Sequence, residues 1–171
     1  PMYRRQRQMC IRDRFKIWVL NMDFGKRISI EAVEEGNEFM PKFDDQGLIP
    51  VITMEESSNL VLMHGYLNKE ALKLSIETKQ AHYWSRSREQ LWKKGETSGL
   101  YQNIKEILVD DDQDCVIFKV EVEGSGASCH VGYKSCFYRS VENLKDLEFV
   151  EEEKLFDPEE VYEGQENPTK L

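Results

Sequence analysis

The strongest structural constraint in this sequence is a long β-type run from Ile104 to Glu123. In its second half, apolar residues at 116, 118, 120 and 122 alternate with mainly charged ones. A period of two sends alternate side chains to opposite faces of a strand. The run therefore predicts one long strand with one buried face, which needs neighbouring strands and a cover.

The preceding segments supply those neighbours. Leu48–Met54 and Leu60–His64 are β-rich runs separated by turn-type residues, and they predict a hairpin. Asn68 is placed to cap a helix that ends at Thr78, and residues 81–84 predict a return strand. We expect an α+β fold in a compact single domain rich in antiparallel strands. Glu89–Lys94 predicts a short helical turn, and residues 140–150 predict a helix.

Charge divides the chain into three parts. Residues 1–16 are basic and lack periodicity, so we expect a disordered or non-native extension. Residues 17–145 form the expected domain. Residues 146–171 hold ten acids against two lysines and predict a mobile acidic tail, which explains most of the net charge of −9.

Composition excludes several classes of function. A net acidic chain disfavours nonspecific nucleic-acid binding, which depends on neutralising phosphates. No apolar run reaches the length of a membrane span, and the basic start lacks the features of a secretory signal. We therefore expect a cytoplasmic protein with neither nucleic acid nor membrane as a partner, and cysteines that serve metal or thiol chemistry.

Two clusters are candidates for metal binding. Cys129 and Cys136 flank His130, so two thiolates and a base lie close in sequence; buried free cysteines are the alternative. The acidic run 110–114 stands at the entrance to the predicted strand. If the period of two extends back, Asp110, Asp112 and Asp114 share a face, where a hard divalent cation would relieve their repulsion. A solvated acidic turn is the alternative.

The segment from 82 to 99 is dense in residues that bind phosphate. Arginines, lysines and hydroxyl side chains supply charge and hydrogen bonds, and Gly95 and Gly99 allow close approach of the backbone. Trp84 could stack on a base, although tryptophans more often lie in a core. The candidate substrate-binding residues are Trp84, Ser85, Arg86, Ser87, Arg88, Lys94, Gly95, Ser98 and Gly99.

Taken together, these motifs resemble the phosphoribosyl-AMP cyclohydrolases, in the monofunctional form. The resemblance runs from about Phe43 to Arg139, and its strongest stretches are 82–88, 91–99, 110–114 and 129–139. It implies an intertwined homodimer that hydrolyses the N1–C6 bond in the adenine ring of phosphoribosyl-AMP, a step of histidine biosynthesis. It also implies zinc held by cysteines of both subunits, His130 as the proton-transfer residue, and magnesium on Asp110, Asp112 and Asp114.

One departure from the family pattern affects the zinc site. Asp111 stands where the family usually has the third cysteine ligand, and a carboxylate can bind zinc in its place. Cys115 is the less favoured substitute, since four residues along a strand span roughly 13 Å. His64 is interpreted as a packing variant. The missing cysteine leaves an alternative open, a catalytically impaired homologue that dimerises and binds nucleotide or metal without turnover.

Overall fold

The computed structural model describes residues 23–164, and its centre is a four-stranded sheet. The strands are β1 (Leu48–Glu55), β2 (Val61–Asn68), β5 (Gln102–Val109) and β6 (Val116–Val122), in the order β2-β1-β6-β5. β2 and β5 pair antiparallel with their neighbours, whereas β1 and β6 run parallel. The predicted hairpin of β1 and β2 is confirmed, and so is the antiparallel-rich α+β class.

A helix and a small hairpin cover one face of this sheet. Helix α2 (Lys69–Thr78) begins where the Asn68 side chain accepts a hydrogen bond from the Ala71 amide, as predicted. It is followed by β3 (His82–Ser85) and β4 (Gln90–Lys93), which pair with each other. Tyr83 of β3 is fully buried and stacks on Trp92 at 5.0 Å. This hairpin anchors the predicted substrate-binding residues in the core. We call residues 82–99 the substrate-type segment.

Three predicted elements are wrong. Residues 90–93 form strand β4 rather than a helical turn, because Trp92 packs on Tyr83 across the ladder. The single strand 104–123 is two strands, β5 and β6, which fold back at the acidic run. Residues 140–150 form an exposed hairpin of β7 (Arg139–Val141) and β8 (Leu147–Phe149) instead of a helix, and its tip residue Leu144 faces solvent.

Two short helices lie in the segments that precede and follow the sheet in sequence. Helix α1 (Ile30–Glu34) starts at Ser29, whose hydroxyl accepts the Ala32 amide. A short helix α3 (Pro158–Val161) ends the described chain. The predicted extension 1–16, with Cys10, lies outside the described residues, and the domain bounds and the mobility of the tail stay predictions. Between residues 23 and 164, no helix is long and apolar enough to cross a membrane.

Candidate active site

The two candidate cysteines lie on one compact loop after β6. Residues 128–134 close on themselves, since the amides of Ser128 and Cys129 donate to the carbonyls of Lys134 and Tyr133 at 2.9 and 3.2 Å. The Cys136 amide donates to the Leu62 carbonyl at 2.7 Å, which joins the loop to the free edge of β2. We call residues 128–136 the cysteine loop. It presents one buried thiol, Cys129, and one exposed residue, Cys136.

The two thiols are hydrogen-bonded partners with opposite pKa shifts. The bond from Cys136 lowers the pKa of Cys129, and the backbone of the loop and Lys94 add to that effect. The same bond, together with burial, raises the pKa of Cys136. The two thiols therefore titrate as a coupled pair, in which Cys129 gives up its proton more readily than Cys136 does. The Cys129 thiolate is ready to bind a soft metal ion.

Lys94 and His130 complete this end of the site. Lys94 donates its ammonium to the Ser128 carbonyl at 2.6 Å, and burial lowers its pKa. His130 follows Cys129 on the loop, and partial burial with the nearby Lys94 charge lowers its pKa. The imidazole is therefore mainly neutral at neutral pH and can accept a proton.

A chain of buried hydrogen bonds supports the cysteine loop from within the core. The Tyr83 hydroxyl contacts the Thr53 hydroxyl at 2.7 Å and donates to Gln102 Oε1 at 2.6 Å. Gln102 Nε2 in turn donates to the Ser128 hydroxyl at 2.6 Å. All four side chains are essentially inaccessible to solvent. The loop is therefore fixed by β1, β3 and β5 together, one residue before Cys129.

The acidic run forms a tight turn between β5 and β6. Ligand atoms of Asp110, Asp112 and Asp114 lie within 4.8 Å of one another. Asp110 Oδ1 accepts the amides of Asp114 and Cys115 at 2.9 and 3.0 Å, which closes the turn. The predicted convergence of these carboxylates is confirmed, but a turn creates it rather than the pleat of a strand.

A lysine currently balances this charge. Lys42 Nζ contacts Asp112 Oδ2 at 2.9 Å and Asp114 Oδ2 at 3.1 Å. These contacts raise the pKa of Lys42 and lower that of Asp112. Gln113, at a φ of +59°, is buried in the same turn and binds the Met40 amide at 2.6 Å. The turn thus holds the segment before β1 in two ways, through the Met40 amide and through the Lys42 ammonium.

The substrate-type segment divides between the exposed β3–β4 turn and a second, partly exposed loop at residues 94–99. Arg86 and Arg88 are exposed in the β3–β4 turn, where the Ser85 hydroxyl accepts from the Arg88 amide at 3.3 Å. Arg86 stacks on the Tyr66 ring at 3.9 Å. Trp84 is half-buried on β3, and exposed Ser87 lies 3.5 Å from the Ser85 hydroxyl.

The second half of the segment reaches the cysteine loop. Gly95 has a φ of +91°, and a side chain there would come within 2.4 Å of the Tyr101 amide nitrogen. The Gly99 amide donates to the Gly95 carbonyl at 2.8 Å. Ser98 faces the Tyr162 phenol, which lies near Cys129. Lys94 therefore contacts the cysteine loop directly, while the arginines lie on the exposed β3–β4 turn.

The acidic turn and the cysteine loop stand at opposite ends of the central sheet. Val116, the first residue of β6, pairs with Val51 of β1, whereas Leu62, whose carbonyl accepts from Cys136, lies level with Thr53 and Met54 toward the end of β1. By strand geometry the two sites are about 10 Å apart along the strands and about 14 Å across them. Among residues 23–164, Asp110, Asp112 and Asp114 alone form a group of three metal-ligand side chains. Asp111 and Cys115 therefore do not join Cys129 and Cys136 within one chain.

Some residues of these sites carried no clear signal in the sequence. Lys42 lies 70 and 72 positions from its carboxylates, and Gln113 and Gln102 belong to no recognisable motif. Tyr162 lies in a segment whose composition predicted a mobile tail. The acidic run offered one hint. Aspartates favour turns, so a turn with a positive φ, as found at Gln113, could have been suspected there.

Comparison with known proteins identifies the family. Residues 63–138 match the family model for phosphoribosyl-AMP cyclohydrolase. A phosphoribosyl-AMP cyclohydrolase of Rhizobium etli is 48% identical over 134 residues, which cover 77% of this chain and 89% of the relative. One from Rhizobium rhizogenes is 50% identical over 76% of this chain and 89% of its own. One from Brucella canis is 54% identical over 65% of this chain and 80% of its own.

The matched region contains the cysteine loop, the acidic turn and the substrate-type segment, all in the order in which the sequence resemblance placed them. The relatives share about half of their residues with this chain across most of their own length. On this evidence, the chain belongs to the phosphoribosyl-AMP cyclohydrolase family.

Proposed function

We propose that this enzyme hydrolyses the N1–C6 bond in the adenine ring of phosphoribosyl-AMP, in histidine biosynthesis, with zinc and magnesium as cofactors. The observation that carries the proposal is the closed cysteine loop, which brings Cys129 and Cys136 together with His130 next in sequence, inside the region that matches the family. Zinc, when bound, lowers the pKa of a water molecule toward neutrality and so supplies hydroxide for attack on C6.

The thiol pair fits half of a zinc site. Two neighbouring cysteines, one with a lowered pKa, offer two of the three protein ligands that a catalytic zinc usually has. His130, exposed and with a lowered pKa, is our candidate to accept the proton that the attacking water loses. Lys94 is half-buried, donates to the Ser128 carbonyl next to Cys129, and lowers the pKa of Cys129 through its charge.

Asp111 of a second subunit is our candidate for the third ligand. Two ligands of one zinc ion lie within about 4.6 Å of each other, which the separation of about 10 Å along the strands and about 14 Å across them forbids within one chain. Asp111 is exposed on the acidic turn and so is available to a partner. Cys115 is half-buried, and burial with Asp110 and Asp114 raises its pKa, which disfavours the thiolate that a metal needs.

Positions 111 and 115 do not lie on an extended strand, so the predicted separation of roughly 13 Å is wrong: both residues lie in one turn, closed by the Asp110 amide on the Cys115 carbonyl at 3.3 Å. Asp111 is preferred because it is exposed and negatively charged. Sharing of the zinc site also supports an intertwined homodimer, which static light scattering can test; a fully active monomer would contradict it.

The acidic turn fits a magnesium ion. Its three carboxylates converge within 4.8 Å, and the Lys42 ammonium already occupies the position of a positive charge between two of them. The exposed arginines of the β3–β4 turn, with Ser85 and Ser87, are proposed to hold a phosphate end of the substrate, and Trp84, Gly95, Ser98 and Gly99 to line the path toward the thiols.

The test compares Asp111→Ala, Asp111→Cys and Cys115→Ser for zinc affinity and for turnover of phosphoribosyl-AMP. Asp111→Ala should lose zinc and activity together. Asp111→Cys should tighten zinc by at least tenfold, about 1.4 kcal/mol, because a thiolate suits zinc better than a carboxylate does. Cys115→Ser is the control and should change neither quantity. Loss of zinc in Cys115→Ser but not in Asp111→Ala would reverse the assignment.

The same assay decides between this proposal and an impaired homologue. An impaired homologue would bind zinc and dimerise but show no turnover of phosphoribosyl-AMP at any zinc or magnesium concentration. Turnover in the wild-type chain that disappears in Cys129→Ser would establish the hydrolase.

A further inference from the structure

The segment after β8 returns to the cysteine loop and follows its outer side. We call residues 151–162 the strap; they lie outside the region that matches the family model. The Leu155 amide donates to the Gly132 carbonyl at 2.8 Å. A side chain at Gly132 would come within 2.4 Å of the Phe156 carbonyl oxygen, and the φ there is +105°. The loop and the strap are therefore fitted to each other at the backbone.

Glu151 fixes the part of the loop that carries Cys136. Its two carboxylate oxygens accept the amides of Lys134 and Ser135 at 2.9 and 3.1 Å. Ser135 is buried, and its hydroxyl donates to the Val61 carbonyl at 2.7 Å. An unpaired backbone donor is costly when it is buried, so the carboxylate stabilises this conformation of the loop. The residue that directly follows is Cys136, so Glu151 fixes the backbone immediately before this thiol.

Tyr162 is buried at the end of the strap. Its side chain is buried, with 8% of the residue exposed, and its ring packs edge-on against Phe156 at 6.5 Å. Its phenol faces Ser98 and lies near Cys129. The strap thus reaches both the thiols and the substrate-type segment, which are the two parts of the proposed site.

We propose that the strap supports the thiolate site. Glu151 positions Cys136 for metal binding, and Tyr162 covers Cys129. This inference rests on the proposed zinc site. Carboxylates that fix a ligand from outside commonly contribute 10- to 100-fold to metal affinity. Here the carboxylate acts through two backbone amides rather than through the ligand's own side chain.

The first test measures zinc affinity of the full-length protein by competition with a chromophoric chelator. Glu151→Ala should weaken zinc binding by about 10- to 100-fold. Glu152→Ala is the matched control, since the next residue is an exposed glutamate, and it should bind zinc as the wild type does. Glu151→Gln keeps one acceptor oxygen and should fall between them. Circular dichroism and melting curves identify any variant that loses its fold, and Glu151→Gln keeps the test decisive in that case.

The second test needs no metal. The rate at which iodoacetamide alkylates Cys129 is followed by peptide mass spectrometry on the metal-free protein. Tyr162→Ala should raise that rate several-fold because the cover is removed, whereas Tyr162→Phe should leave it unchanged because the ring remains.

The outcomes separate the two proposals. A wild-type protein that does not bind zinc overturns the proposed function, while the alkylation rates still decide whether Tyr162 covers the thiol. A wild type that binds zinc, with Glu151→Ala binding it equally well and Tyr162→Ala reacting at the wild-type rate, overturns the role of the strap and leaves the proposed function intact.

Discussion

Tyr83→Phe should destabilise the protein by far more than the loss of one oxygen atom suggests. The hydroxyl is the donor that Gln102 Oε1 receives at 2.6 Å, and both side chains are fully buried. Without it, a buried carbonyl oxygen loses its partner, and the Thr53 hydroxyl loses its contact as well. A buried polar group left unpaired costs about 1–3 kcal/mol.

A cost of about 2 kcal/mol should lower the melting temperature by about 4–8 °C in a chain of this length. Thr53→Val should cost less, because the Tyr83 hydroxyl keeps its bond to Gln102. Since Gln102 also holds Ser128, which precedes Cys129, Tyr83→Phe should weaken zinc binding in addition.

Thermal unfolding followed by circular dichroism on the metal-free protein gives the first quantity, and chelator competition gives the second. Tyr66→Phe is the matched control, since Tyr66 offers its ring to Arg86 and phenylalanine keeps that ring. A melting temperature within 1 °C of the wild type for Tyr83→Phe, well below the shift worked out above, would refute the hydrogen-bonded chain as a source of stability.

Three further predictions concern charge. Lys42→Met should raise the affinity for Mn²⁺, measured by electron paramagnetic resonance, several-fold because a competing ammonium is gone; Lys105→Met, which breaks an ion pair on the sheet, should not, and equal affinities would exclude competition. Arg86→Ala should raise KM more than it lowers kcat and leave zinc content unchanged, whereas zinc loss would place it in the metal site. The pKa of Cys129 is lowered to about 6 from an ordinary value of 9.0, so the metal-free protein should gain stability as pH rises from about 6 to 9, where the unfolded chain still holds the proton; Cys129→Ser should lose this slope in urea unfolding at a series of pH values.

The sequence predicts well where local signals and burial agree. The β1–β2 hairpin and helix α2 follow from β-rich runs and from the Asn68 cap, and each also buries the face that the pattern assigns. The prediction of a single strand over 104–123 was wrong. Both β5 and β6 have β-type sequences, and this pattern gives no sign of the turn between them. Residues 90–93 failed because four residues are too few to distinguish a turn of helix from a strand; the partner Tyr83 decides.

The sequence offered candidate ligands for the site, but it did not indicate the residues that support them. Cysteines, carboxylates and arginines are recognisable by chemistry and by resemblance to a family. Gln102, Lys42 and Glu151 act through tertiary contacts at large sequence separations, which no local pattern records. Acidic composition predicted mobility for the tail. It gave no sign that the Glu151 carboxylate accepts hydrogen bonds from two backbone amides of the cysteine loop.

The placement of the acidic turn and the cysteine loop at opposite ends of the sheet has a genetic consequence. If two chains share each zinc site, a chain with Asp111→Ala and a chain with Cys129→Ser are each inactive alone. In a mixed dimer, one site collects both defects and the other collects none, so the second site is whole. With random pairing, about a quarter of the wild-type sites should reappear. Two null alleles of this kind would then complement each other in one cell. An allele that alters Cys129 and an allele that alters Cys136 would not, because every site in the mixed dimer would lack one of the two cysteines.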